Sequence, residues 1–332
     1  MPANKGHITL PHGNGGRLMR ELIDDVFARH LANPNLDTRL DAADISFDQK
    51  GTLVMTTDGF TVQPLEFPGG SIGSLAIHGT VNDLAVSSAE PRYLSLNAFI
   101  EEGTELALLT RLITDMADAA KACGVSIVTG DTKVVRRGEC GGVYFATTGI
   151  GIRSKDVKPG IDQISPGDHL LVTGPVGDHG AAIMLAREEF GLSGELRSDA
   201  ASILEESRAL LRTGGLRFMR DPTRGGLATV ANELARVTGL GIRLREKAIP
   251  IRDTVKAVCE VLGLDPLYLA CEGRIVAVVA PDVSLAGLSA VAPDTSIIGT
   301  IEATRGPVVV ETLAGGERIL DELEDEPLPR IC

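Results

Sequence analysis

The chain has no tryptophan, three tyrosines and eight phenylalanines, so aromatic residues make up only 3% of its 332 positions. Stacking of bases on aromatic rings, a common device of single-strand nucleic-acid binders, is therefore hardly available. Positive charge is also scarce: 32 Lys and Arg face 45 Asp and Glu, a formal net charge of −13. That balance disfavours nucleic acid and anionic membrane as partners. No apolar run approaches the roughly 18 residues of a membrane span, and Met1–Gly6 lacks the hydrophobic stretch of a signal peptide. A soluble, cytoplasmic protein is expected. The five cysteines, at 123, 140, 259, 271 and 332, are odd in number, widely spaced and without a C-x-x-C. They suggest neither a disulfide framework nor a zinc site, and four of them read as small buried hydrophobes.

Hydrophobic residues make up 43% of the chain and glycines number 38. The length exceeds the usual roughly 100–200 residues per domain, so two domains are expected, with cores of Val, Ile, Leu and Ala. Periodicity predicts helices over Leu18–Leu31, Ile72–Val86 and Leu106–Ala120, the last closed by Gly124. It predicts strands at Leu53–Thr57, Tyr93–Ile100, Val125–Thr129 and Val143–Ile152. The polar, Pro- and Gly-punctuated stretch from Arg153 to Asp168 reads as a domain boundary. Beyond it, strands are expected at Leu170–Thr173, Ile242–Leu244 and Arg274–Ala280, and near Ile297 and Val308. Helices are expected at Ala181–Glu189, Ala200–Leu211 and Leu227–Val237. The closing EDEPLPRIC reads as an extended tail.

Acids stand where acids are usually unwelcome. Asp58 follows the apolar LVMTT, Asp83 with Asn82 interrupts an apolar helix, Asp131 closes VSIVTG, and Asp221 precedes PTRGG. A carboxylate at the rim of a core is costly unless paired or bound to a cation, although any one of these can simply cap a helix or start a turn. Several from separate segments suit Mg²⁺ with a phosphate ligand. Glycine clusters at His12–Gly16, Pro68-Gly69-Gly70 and Arg224-Gly225-Gly226 lead into helices and offer backbone N–H groups to an anion. Neither a P-loop nor a Rossmann fingerprint is present. Lys133 lies two residues past Asp131 and can meet a phosphoryl oxygen or that acid. Glu272 precedes a strongly apolar strand, a setting that can fit a carboxyl for proton transfer. His179 lies in the glycine-rich GPVGDHGA. Cys332 places a thiol at the tip of the proline-punctuated tail, where a carrier role competes with that of an incidental cysteine.

Together HGNGG, TTDGF, PLEFPGGSIGSLAIHGTVNDLAV, TGDTKVV, GDHG, DPTRGGLA, ACEGR and the terminal PLPRIC resemble the HypE family of hydrogenase-maturation proteins, the carbamoyl dehydratases, from His12 to Cys332. The middle motifs are shared more loosely with aminoimidazole ribonucleotide synthetase (PurM) and selenophosphate synthetase. The resemblance implies two α/β domains of the PurM-like type. Residues 1–155 would be the ATP-binding and dimerisation domain, 156–322 the C-terminal domain, and 323–332 a flexible tail. The N-terminal domains would pair their sheets in a homodimer.

The resemblance also implies a reaction. HypF, a carbamoyltransferase, loads a carbamoyl group on the Cys332 thiol, and ATP drives its dehydration to a thiocyanate, releasing ADP and phosphate. The cyanide then passes to iron held by the HypC–HypD complex, for the active site of [NiFe]-hydrogenase. ATP would lie among Asp58, Gly69, Gly70, Asn82, Asp83, Asp131, Lys133, Asp221, Gly225 and Gly226. Mg²⁺ would sit on Asp58, Asp83, Asp131 and Asp221, with Lys133 steadying charge at the transferred phosphoryl. Glu272 is the expected base, with His179 the second choice. Cys271 has no assigned role, and Arg274 stands where Lys is also compatible. An enzyme acting on a diffusible substrate would not need Cys332, and a maturation scaffold would not need the Asp, Lys and Glu set.

Overall fold

The structure, a computed structural model, describes residues 6–14, 16–38, 42–43, 45, 51–156, 159–187, 195–323 and 331. Cys332 and most of the proposed tail lie outside the described residues. Two compact units divide the chain: Met1–Leu84 with Ala89–Ser154, and Ala85–Ser88 with Lys155–Ile331.

In the first unit, the helix expected over Leu18–Leu31 forms as α1 (Arg17–Leu22), a π-helical stretch Ile23–Ala28 and α2 (Arg29–Leu31). Its inner side buries Leu22, Val26, Phe27 and Leu31. The strand expected at Leu53–Thr57 extends into β1 (Gly51–Phe60). A hairpin of β2 (Glu66–Phe67) and β3 (Gly70–Ser71) turns on Pro68-Gly69, where Gly69 has φ of 106°. That left-handed backbone favours glycine. Then follow α3 (Ile72–Val86), β4 (Glu90–Glu101), α4 (Leu106–Cys123), β5 (Ser126–Val135) and β6 (Val143–Ser154). Gly124 closes α4 in the left-handed conformation, as the sequence suggests.

The sheet order is β1-β6-β4-β5, and only the β4–β5 pair, joined through α4, is parallel. α3 lies close on one face. A Cβ on Gly149 of β6 would come within 2.6 Å of Thr80, and one on Gly73 within 1.9 Å of the Leu112 carbonyl oxygen of α4. The opposite face leaves Leu53, Met55 and Phe99 exposed.

The second unit is built from β7 (His169–Val172), α5 (Asp178–Arg187), α6 (Leu204–Arg212), β8 (Leu216–Arg220), α7 (Gly226–Thr238), β9 (Gly241–Arg245), α8 (Asp253–Leu262), β10 (Val276–Val279), α9 (Ala286–Val291), β11 (Ser296–Glu302), β12 (Val308–Glu311) and β13 (Glu317–Ile319). Its sheet order is β13-β12-β9-β11-β7-β10-β8, with β9–β12 the parallel pair. Leu227, Val230, Ala231 and Leu234 of α7 pack on Leu170, Val172, Leu244, Val276 and Val278, forming the core beneath the site described next.

The sequence patterning leaves β8, α8, α9 and β13 unassigned. β8 is interrupted by Arg217, and α8 buries only Val255, Val258 and Cys259. Two expected elements are shorter than predicted. The helix expected from Ala200 starts at Leu204, because Ser198 turns its hydroxyl onto the Ala200 N–H at 3.0 Å. The strand expected from Arg274 starts at Val276, since Glu272–Arg274 make bonds outside the ladder.

Candidate functional site

In the second unit, three segments meet at one end of the sheet for a reason visible in the register. Val276, at the start of β10, pairs with Val172 at the end of β7 and Arg220 at the end of β8. The chain therefore leaves β7 towards His179, leaves β8 into Asp221, and enters β10 from Glu272 in the same region. Backbone bonds tie these loops together. Cys271 N–H donates to Pro222 C=O at 3.0 Å, and Gly180 N–H donates to Ala270 C=O at 3.1 Å. Asp221 and Glu272 are both buried here.

The glycines of these motifs have packing reasons. Gly226 has φ of 57°, and a Cβ there would lie 2.4 Å from the Leu269 carbonyl oxygen. On Gly273, a Cβ would lie 1.9 Å from the carbonyl oxygen of Asp199. Gly225, also left-handed, is the N-cap of α7. Gly226 thus lets the DPTRGG loop approach the backbone of residues 267–269, and Gly273 lets CEGR approach that of Asp199.

His179 opens onto the end of the chain. Its Nε2 lies 2.8 Å from the carbonyl oxygen of Ile331, and its Nδ1 lies 2.7 Å from Ser198 Oγ. A carbonyl only accepts, so Nε2 carries the proton and donates it. Burial lowers the His179 pKa from 6.5 to about 4, against a smaller upward push from the Ile331 bond. The ring is therefore neutral, and Nδ1 accepts from the Ser198 hydroxyl. Neither ring nitrogen is left to take a substrate proton, which favours Glu272 over His179 as the base. Ile331 is itself buried, so the residue before Cys332 is held here by both side chain and backbone.

Two buried carboxylates that the sequence reading passed over surround this point. Asp178 sits at the start of α5, 2.8 Å from Arg252 Nε and 3.6 Å from Arg274 Nη2. Asp199 accepts from the backbone N–H of Glu272 at 3.1 Å and lies 3.5 Å from Arg274 Nε. Burial raises both pKa values, with the arginines pulling the other way. Arg274 also donates to the Pro175 and Gly273 carbonyls, at 3.0 and 3.1 Å. A planar guanidinium fork can meet four such partners and an ammonium cannot, so Lys is not equivalent at this position. The signal for Asp199 was available in RSDAAS, an acid among small residues in a break between helices. That for Asp178 was its place beside His179.

Cys271 also finds its role here. It is fully buried, its Sγ accepts from Gly177 N–H at 3.2 Å, and burial pushes its pKa well up. It is a packing thiol.

In the first unit, Asp83 of α3 accepts from the Thr56 hydroxyl at 2.7 Å. Asp58, two residues further along β1, faces Gly79, one helical turn before Asp83. These two acids therefore share the α3 side of the sheet, with Asn82 buried beside Asp83. Asp131 and Lys133 do not join them. β5 is the opposite edge of the sheet from β1, and the register Asp131↔Asn97↔Ala146↔Gly59 puts Asp131 on the other face from Asp58.

Lys133 lies 2.7 Å from Asp131, and that bond is the main cause of a lowered Asp131 pKa. Both side chains are at least half exposed, so the pair adds little stability. Asp131 also borders a cavity of about 130 Å³ with Met19, Ile23, Phe27 and Leu96. That is well short of the roughly 300 Å³ of a small-molecule pocket. Asp221 belongs to the second unit. Among the described residues, no group of three or more His, Cys, Asp or Glu is arranged to hold a metal ion. The pair Asp58 and Asp83 suits a cation such as Mg²⁺, which takes one or two carboxylates and completes its shell with phosphate and water.

Comparison with known proteins accounts for this architecture. Models of AIR synthase related proteins match both units, the N-terminal domain at residues 39–153 and the C-terminal domain at 165–311. The carbamoyl dehydratase HypE of Azotobacter vinelandii is 45% identical over 338 residues, spanning 98% of each chain. The crystal structure of the hydrogenase maturation protein HypE in complex with ATP superposes with a TM-score of 0.92 at 43% identity, covering 98% of this chain and 99% of that one. The HypE–HypF complex gives 0.78 at 38% identity, over 93% of this chain and all of its match. With both domain models matched and such identity sustained along its length, the chain belongs to the HypE family of carbamoyl dehydratases, within the AIR synthase related proteins.

Proposed function

We propose that the chain dehydrates an S-carboxamide on its own Cys332 to a thiocyanate at the expense of ATP, supplying cyanide for [NiFe]-hydrogenase maturation. HypF is the proposed carbamoyl donor and an iron-bearing HypC–HypD complex the acceptor, in the cytoplasm. The observation that carries this reading is the anchoring of Ile331 by His179 in the region where Glu272 and Asp221 converge. A chain end seated at that point is what an enzyme acting on its own terminal residue requires.

The chemistry follows from the groups present. The amide oxygen is a poor leaving group until it attacks the γ-phosphorus of ATP and displaces ADP. Two N–H protons then leave in sequence, and departure of phosphate from carbon completes the C≡N bond. Glu272 is the proposed acceptor for the proton that leaves with phosphate. Mg²⁺ would neutralise phosphate charge, held by Asp58 and Asp83. Gly69, Gly70, Asn82, Gly225 and Gly226 remain proposed nucleotide neighbours through their backbones or side chains, and Asp221 a further polar partner.

The homodimer is proposed to form through the open face of the first sheet, whose exposed Leu53, Met55 and Phe99 would gain from being covered. Asp131 and Lys133 lie on that same face, where the partner would bring them out of bulk water.

Intact mass after incubation with HypF, carbamoyl phosphate and ATP tests the reading. Wild type should gain one carbamoyl group and then lose one water. Cys332→Ala should fold and gain nothing, whereas an adduct on that variant refutes Cys332 as the carrier.

A further inference from the structure

We infer that Ser198 and Asp199 are positioning residues: two adjacent side chains that set the anchor of the chain end and the proposed base in fixed register. The inference rests on the reading of Cys332 as carrier and Glu272 as base, and adds to it the segment that holds them together.

Ser198 faces His179. Its hydroxyl donates to Nδ1 at 2.7 Å, which holds the imidazole in the tautomer whose Nε2–H reaches the Ile331 carbonyl. The same oxygen accepts the Ala200 N–H at 3.0 Å, fixing the hydroxyl's direction. Asp199 faces the other way. Its Oδ1 takes the Glu272 N–H at 3.1 Å, and its Oδ2 lies 3.5 Å from Arg274 Nε, which also bonds Pro175 in the loop leading to His179. Gly273 packs so tightly on the Asp199 carbonyl that no side chain fits between. Tail anchor and base loop are thus tied to neighbouring residues of one segment. Asp199 Oδ2 meets Arg274 as an ion pair and not as a hydrogen bond, and a buried network of this kind fixes geometry more than it adds stability.

The test uses the full-length protein, loaded by HypF, with four variants. Ser198→Ala should move the His179 ¹⁵Nδ1 resonance downfield, towards that of an unbonded acceptor. It should also speed hydrogen exchange of the C-terminal peptide by roughly fivefold or more, the worth of one hydrogen bond. Ser198→Thr keeps the hydroxyl and should restore both readouts. Asp199→Ala should slow water loss roughly ten- to a hundredfold with the KM for ATP unchanged. Asp199→Asn keeps an oxygen for the Glu272 N–H and should recover most of the rate.

Wild-type tail exchange in Ser198→Ala, or an Asn variant as slow as the Ala variant, overturns the assignment. Glu272→Gln serves as the control. If that variant dehydrates normally, the base reading itself fails, whereas the exchange and resonance data on Ser198 still decide whether the anchor is real.

Discussion

Acidification should destabilise the second unit by forcing a charge onto the buried His179 ring, and the size of the effect can be worked from its surroundings. Burial holds the folded-state pKa at about 4 against an ordinary 6.5. Between those values the unfolded chain binds more protons than the folded one, so stability rises with pH across that window. The contribution is complete above pH 6.5 and disappears as pH falls towards 4. At 1.36 kcal/mol per unit, the whole shift corresponds to about 3 kcal/mol, of which about 2 kcal/mol is lost between roughly pH 7 and pH 5. His78 in α3 is also lowered to about 4 by burial and adds a loss of the same sign. The His179 share is therefore read as the difference between wild type and His179→Gln, whose amide can still donate to Ile331 but does not titrate. Urea unfolding of both proteins across this range, followed by a probe in the second unit, should show the wild type losing about 2 kcal/mol more than the variant. A His179 ring that titrates near 6.5 by NMR, or a difference that does not change with pH, would refute the buried-clamp argument.

Three further outcomes follow from the geometry. Glu272→Gln should retain nucleotide binding and carbamoylation of Cys332 while water loss slows by roughly 10²–10⁴-fold, seen as a carbamoylated mass that persists after ATP is added. Asp83→Asn should weaken Mg-ATP binding by calorimetry with little change in melting temperature, since the amide can still accept from Thr56; unchanged affinity with lowered stability would make Asp83 a structural polar group. Gly226→Ala should destabilise the second unit by roughly 2–4 kcal/mol, combining a left-handed backbone with a clash against the Leu269 carbonyl, as measured by thermal unfolding.

The sequence reveals the two-domain plan because its signals are local. Gly124, the stripe of α4 and the alternation of β6 each declare an element within a dozen residues. Glu272 and the DPTRGG loop were legible for the same reason, as an acid and glycines at the edge of an apolar strand. What was not legible depends on register. Nothing in TGDTKVV says that its strand lies at the sheet edge opposite β1 and turns Asp131 to the other face, so four acids that look like one cation set are distributed over two faces and two units. Asp178 and Asp199 show as acids in the sequence, but their pairing with Arg274, which reaches them across 96 and 75 positions, does not.

The same distinction explains why histidine 179 changes character between sequence and structure. In sequence it is a titratable ring in a glycine-rich loop, a natural candidate for proton transfer. Burial makes it neutral, the Ile331 carbonyl fixes the proton on Nε2, and the Ser198 hydroxyl takes up Nδ1. A ring so committed is poor at exchanging protons and good at holding a peptide in one orientation. An enzyme whose substrate is its own last residue needs such a hold, because a tethered thiol gains rate only if its reacting carbon is kept near the attacking and accepting groups. On the proposed reading of Cys332, the hold must also be weak enough to release, since the thiol would have to leave to be loaded and unloaded. One hydrogen bond and one buried isoleucine, worth a few kcal/mol together, are of that order.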